Sequence, residues 1–200
     1  MRVFIELSFD GYAYHGWQKQ PNGITVQEEL ESALSLFTGT TMSVMGCGRT
    51  DAGVHASYFV AHAVWPEEAP RSKQFKDWEE AVWKLNGMLP KAIALHKITE
   101  VDEKAHARFD ATERGYVYHM HNVDFSRMQE AAPLLIQKAD FSAFCKSGAD
   151  QKTTICDVRQ SRLVPLEDRT RWIFEVSADR FLRNMVRAMV GTLLEIGQGR

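Results

Sequence analysis

Apolar and polar residues alternate along Arg2–Phe9, the period-two signature of a strand with one buried face. Thr25 and Glu28 form a capping box, and Leu30, Ala33, Leu34 and Phe37 then recur at helical spacing as far as Gly39. Thr41–Cys47 and Tyr58–Trp65 read as strands, the second ended by Pro66. Phe75, Trp78, Val82, Leu85 and Leu89 predict a helix stopped at Pro90, and Ile93–Val101 a further strand. The order β-α-β-β-α-β is the ferredoxin-like arrangement.

The pattern then starts again. Arg114–Asn122 predicts a strand, Ser126–Ala139 a helix that Pro133 kinks, and Thr153–Val164 and Arg171–Ala178 two more strands. Asp179 is placed to cap a helix over Arg180–Ile196, whose apolar stripe holds Met185, Val186, Met189, Val190, Leu193 and Leu194. No strand pattern follows that helix. The predicted fold class is therefore α+β, with two ferredoxin-like units of mainly antiparallel sheet. The first covers residues 1–104 and the second residues 105–200, the second lacking its last strand and leaving Arg114–Asn122 with an open edge. Segments 66–72 and 146–152 are polar connectors.

Composition adds limits rather than a function. The chain has 200 residues, 44% hydrophobic and 25% charged, which suits a soluble globular protein. Three cysteines (Cys47, Cys145, Cys156) with no C-x-x-C spacing favour reduced thiols. The N-terminus lacks a signal-peptide apolar block, and no apolar run approaches membrane-spanning length, so a cytoplasmic protein with no membrane partner is expected. A net charge of −2 does not advertise nucleic-acid binding; an RNA partner would need a local basic surface. The histidines have no Cys, Asp or His partners at ligand spacing, so no metal is expected.

Candidate chemistry concentrates in Gly46-Cys47-Gly48-Arg49-Thr50-Asp51-Ala52-Gly53-Val54-His55-Ala56. Small residues there let a ligand come close. An arginine two positions from Asp51 favours the charged carboxylate, which can act as nucleophile or base. Three further segments stand out. The loop Tyr12–Gln20 is dense in aromatics and amides, and surface of that kind either packs or binds. Tyr116 and Tyr118 share a strand face flanked by Arg108 and Arg114, an arrangement that can stack an unpaired base, although Tyr118 reads better as a core aromatic. Arg183 and Arg187, four apart on the last predicted helix, would project from one face and could hold an anion between them.

Gly-Arg-Thr-Asp-Ala-Gly-Val-His (48–55) closely resembles the active-site motif of the TruA family of tRNA pseudouridine synthases. The Gly-Trp-Gln loop (16–18), the Arg-Phe-x-Ala-Thr-x-Arg-x-Tyr-x-Tyr strand (108–118) and the Phe-x-x-x-Met-Val-Arg-x-Met-Val-Gly helix (181–191) resemble that family in the same order. The resemblance implies the pseudouridine synthase fold, with the two units flanking a cleft. It also implies isomerisation of uridine to pseudouridine in the anticodon stem-loop of tRNA, by a homodimer and without a cofactor. Asp51 matches the catalytic aspartate, Tyr116 the tyrosine that packs on the target base, and Arg187 the residue that pairs with the aspartate. Arg49 matches an RNA-engaging arginine, and Gln18, Arg114 and Arg183 are candidate RNA contacts. The chain departs from the family pattern in a short connector between Asn122 and Met128 and in the strand missing after Gly197. A non-catalytic RNA-binding or tRNA-folding protein of the same fold is the alternative, and the partial likeness of 114–121 to an RRM signature belongs to that reading.

Overall fold

The computed structural model describes residues 1–66, 75–121, 125–146, 148, 152–167 and 171–200. They form two compact units, Met1–Ala111 and Thr112–Arg200. The first unit runs past residue 104 because the following segment folds back on its own sheet. Arg2 Nη1 donates to the Ala105 carbonyl at 2.8 Å, and the Ala107 N–H donates to His62 Nδ1 at 3.1 Å.

In the first unit β1 (Arg2–Phe9), β2 (Val44–Gly46), β3 (Ala56–Val64) and β4 (Ile93–Val101) form an antiparallel sheet in the order β2-β3-β1-β4. Val3, Ile5 and Leu7 stand opposite Ala63, Ala61 and Phe59, so one face of the sheet is continuously apolar. A register shift between Glu6 and Leu7 lets β4 present both Leu95 and Ile98, three residues apart, to that face. Helices α1 (Val26–Thr38) and α2 (Trp78–Asn86) supply Leu30, Leu34, Ala81 and Leu85 to the same core. Thr25 caps α1 through its Oγ1, which accepts the Glu28 N–H at 3.3 Å. Gly39 ends the helix in the left-handed conformation at φ 77°.

The second unit orders its strands β5-β8-β7-β6, with β5 (Arg114–His121), β6 (Lys138–Asp140), β7 (Ile155–Pro165) and β8 (Arg171–Ala178). β5 pairs with β8 as β1 pairs with β3, and among the described residues no strand lies on the other side of β5. The sheet is backed by α4 (Met185–Gly197), whose Met185, Met189 and Leu193 pack with Phe174, Val176 and Met120.

Three predicted helices are shorter than their apolar patterns, and α2 covers only Trp78–Asn86 of the Phe75–Leu89 pattern. Helix α3 covers only Phe125–Ala131; a 3-10 turn over Ala132–Leu135 follows, because Pro133 cannot continue the α-helical ladder. That break lets Lys138–Asp140 pair with β7 as a short strand the sequence pattern does not show. The last helix starts at Met185 rather than Arg180. Asn184 sits at φ 67°, outside the helical region, and Asp179 is not its cap. Instead Asp179 Oδ1 accepts the Asp157 N–H at 2.8 Å and its own N–H donates to the Asp157 carbonyl at 3.1 Å, tying the residue to β7. Asn122 and most of segments 66–72 and 146–152 lie outside the described residues.

Candidate active site

Asp51 lies on the connection between β2 and β3, and backbone hydrogen bonds fix that connection. Trp17 N–H donates to the Thr50 carbonyl at 3.3 Å, and Gly53 N–H donates to the Tyr14 carbonyl at 3.1 Å. The two loops therefore hold each other on both sides of Asp51. Gly16 makes the approach feasible: its φ is +86°, and a Cβ there would run into the Thr50 carbonyl oxygen and the Asp51 carbonyl. At Gly11 a Cβ would strike the Val54 carbonyl. His55 closes the connection, with Nδ1 2.9 Å from Asp10 Oδ1 at the end of β1.

The Tyr12–Gln20 loop is itself anchored to the start of α1. Val26 N–H donates to the Gly16 carbonyl at 3.2 Å and Gln27 N–H to the Trp17 carbonyl at 3.0 Å. The Gln27 side chain accepts from Lys19 N–H at 3.1 Å and donates to the Val44 carbonyl at 3.0 Å, joining the loop to β2. Trp17 is 2% exposed and lies against the Phe59 ring at 4.3 Å. Most of the aromatic surface in this loop thus packs, since Tyr14 is buried as well; Tyr12, 86% exposed, does not.

Arg49, Asp51 and Ala52 are exposed on this scaffold, and Gln18 follows the residue that bonds Thr50. The first unit thus gathers Asp51, Arg49 and Gln18 around one loop pair. Nothing within 4 Å would meet a Cβ at Gly48 or Gly53, so the chain is uncrowded at the glycines that flank Asp51 in sequence. A carboxylate at the rim of a rigid, uncrowded loop can approach a reacting carbon from outside, which nucleophilic addition requires.

In the second unit Tyr116 is partly buried, and its ring meets Phe181 edge-on at 5.2 Å. Arg114 Nη1 donates to the Asp179 carbonyl at 2.7 Å, bridging β5 to the segment that carries Phe181. Tyr118 shares the face of Tyr116 but is 41% exposed, so it is not a core aromatic. β5 reaches the sheet edge there, and Phe174 on β8 supplies the apolar cover on one side only. Arg187 is exposed in the first turn of α4. Arg183 precedes that helix, its carbonyl accepting Lys146 N–H at 3.0 Å, so it does not share a helical face with Arg187. The interruption at Asn184 thus breaks the helical i, i+4 relation expected for the two arginines. Among the described residues no three His, Cys, Asp or Glu side chains gather in metal-ligand geometry.

A tRNA pseudouridine synthase family model matches residues 131–200. The chain is 46% identical to the tRNA pseudouridine synthase A of Bacteroides fragilis, with all of this chain and 82% of that protein aligned. It is 44% identical to the protein of that name from Bacteroides thetaiotaomicron and 43% identical to that of Parabacteroides distasonis, which it covers over 78% and 82% of their lengths. The chain belongs to the tRNA pseudouridine synthase A family. Members are isomerases, and the two antiparallel four-stranded sheets with their helices are consistent with the pseudouridine synthase fold. Sequence reasoning picked out both the loop carrying Asp51 and the Tyr12–Gln20 loop but not their docking: the hydrogen bonds that join them, Trp17 N–H to Thr50 and Gly53 N–H to Tyr14, run between backbone atoms, which residue identity does not encode. No helix among the described residues is long and apolar enough to cross a membrane.

Proposed function

We propose that this chain converts uridine to pseudouridine in the anticodon stem-loop of tRNA, with Asp51 as nucleophile and no cofactor. The observation that carries the reading is the exposed carboxylate of Asp51 on a connection clamped at Thr50 and Gly53. The glycosidic bond from C1′ to N1 breaks, the base reorients, and a bond forms from C1′ to C5. The C5 proton is lost and N1 gains one, so the product is an isomer. Asp51 either adds to C6 of the base or attacks C1′; both routes use an ionised carboxylate and leave it regenerated. The target base must leave its stack to be reached, and Tyr116 supplies the ring that packs on it, held from behind by Phe181. Arg187 is assigned as the charge partner of the aspartate and Arg49 as an RNA contact, with Gln18, Arg114 and Arg183 as further contacts. The protein acts in the cytoplasm as a homodimer.

Release of tritium from tRNA transcripts labelled at uridine C5 tests this reading directly. The enzyme liberates it with multiple turnovers. Binding of tRNA without release would establish instead the non-catalytic RNA-binding or tRNA-folding protein.

A further inference from the structure

Beside the Asp51 connection, on the same end of the first sheet, an open cleft of about 420 Å³ is lined by the end of β1 (Ser8 to Asp10), the start of β3 (His55 to Ser57), and Lys91, Ala92 and Ala94 where β4 begins. His55 is four residues from Asp51, so the cleft begins no more than about 14 Å along the chain from the carboxylate. Its polar groups divide cleanly. The Asp10 carboxylate is answered by His55 Nδ1 at 2.9 Å and by the Tyr12 N–H at 2.9 Å, both on Oδ1. Ser8 Oγ is engaged with His96 Nε2 at 2.8 Å. Lys91 is exposed and takes part in no ion pair among the described residues, which leaves its ammonium as the cation the cleft offers a ligand. Tyr12, whose N–H bonds Asp10 of the cleft, has a side chain 86% exposed, whereas Tyr14 and Trp17 of the same loop are buried.

A lysine in an open cleft with an exposed aromatic two residues from its Asp10 fits the backbone of a nucleic-acid strand, the ammonium meeting a phosphate and the ring a base face. We infer that this cleft is a second substrate contact, in which Lys91 binds a backbone phosphate of the tRNA strand flanking the target uridine and Tyr12 stacks on a neighbouring unpaired base. The inference rests on the function proposed above. It assigns affinity rather than chemistry to these residues: they bind the substrate equally before and during reaction, so they act on KM and not on kcat.

The test measures tRNA Kd at 50 and 200 mM salt, together with tritium release from the same transcripts, for the wild type, Lys91→Ala, Lys91→Arg and Tyr12→Ala. Lys104→Ala serves as control, because Lys104 is exposed and follows β4 at the opposite end of the sheet. One phosphate contact contributes a slope of about 0.7–0.9 in log Kd against log salt. Lys91→Ala should therefore weaken binding several-fold at 50 mM, and its deficit should shrink about threefold by 200 mM. Lys91→Arg should restore both values, Tyr12→Ala should weaken binding at both salts alike, and kcat should stay at the wild-type value throughout. Equal salt slopes for Lys91→Ala and the wild type, or the same loss in Lys104→Ala, would overturn the assignment. Wild-type release with unaltered Lys91→Ala binding removes the cleft contact alone. Absence of wild-type release with the Lys91 salt signature intact removes the catalytic reading and keeps the cleft.

Discussion

Gly16→Ala is the sharpest perturbation of the loop pair, since it changes one methyl group and no chemistry. At φ +86° an alanine carries the left-handed penalty of about 1–2 kcal/mol. Its Cβ would also press on the backbone of Thr50 and lie 3.1 Å from the Asp51 carbonyl carbon. Both neighbours are main chain, so relief requires the Asp51 connection to move. The Trp17-to-Thr50 hydrogen bond, already 3.3 Å, is the first to lengthen. Its weakening adds about 1 kcal/mol, for a total loss of about 2–3 kcal/mol. A displacement of the nucleophile by about 1 Å costs about 10²-fold in rate. Two further variants separate the causes. Gly39→Ala carries similar strain at φ 77° but lies at the end of α1, and should lower stability without lowering the rate of the folded enzyme. Gly48→Ala meets no protein atom within 4 Å and should leave stability unchanged. Stability is read from urea unfolding, and rate from single-turnover tritium release at saturating protein. A Gly16→Ala rate within about threefold of the Gly39→Ala rate would refute the claim that loop docking positions Asp51.

Three other outcomes follow from particular contacts. Tyr116→Ala should lose far more single-turnover rate than Tyr118→Ala at equal folded fraction, with stacking worth about 1–3 kcal/mol; equal losses would remove Tyr116 from its role. His62 is held below its ordinary pKa chiefly by burial, then by His106 and Arg2, with Asp110 opposing, and its Nδ1 accepts the Ala107 N–H. A lowered folded-state pKa stabilises the fold fully above about pH 6.5 and loses that stabilisation as pH falls toward the lower folded value. His62→Asn, which offers an acceptor that does not titrate, should therefore flatten the acid limb of unfolding free energy against pH, and parallel profiles would contradict the assignment. Thr25→Ala should cost about 1 kcal/mol by urea unfolding, because it removes the acceptor for Glu28 N–H at the helix start that anchors Gly16 and Trp17; no change would mean another group caps α1.

The parts of the fold legible in sequence are those set by side-chain periodicity and strong local chemistry. β1, β4 and β8 have the bounds their sequence patterns predict, and the Thr25 cap and Gly39 stop bound α1 as their types require. What escaped depends on backbone conformation or on distant pairing. Asn184 takes a left-handed φ that its residue type permits but does not demand, and this single torsion separates Arg183 from the helix of Arg187. β6 is too short for a period to register and exists through its partner β7. The register shift beside Leu7 shows only in the requirement that Leu95 and Ile98 face one core. At the candidate site, Asp51, Arg49 and Gln18 were legible as motif residues, whereas the Tyr14 and Trp17 backbone contacts that hold the loop carry no sequence signal.

Asp51→Asn tests the central claim most directly. It preserves the size of an exposed side chain and leaves the backbone bonds of Thr50 and Gly53 in place, while removing the nucleophile's charge. Tritium release from C5-labelled tRNA should fall to background, with tRNA Kd within a few-fold of the wild type. Sustained turnover by the folded Asn variant would contradict the assignment of Asp51 as nucleophile.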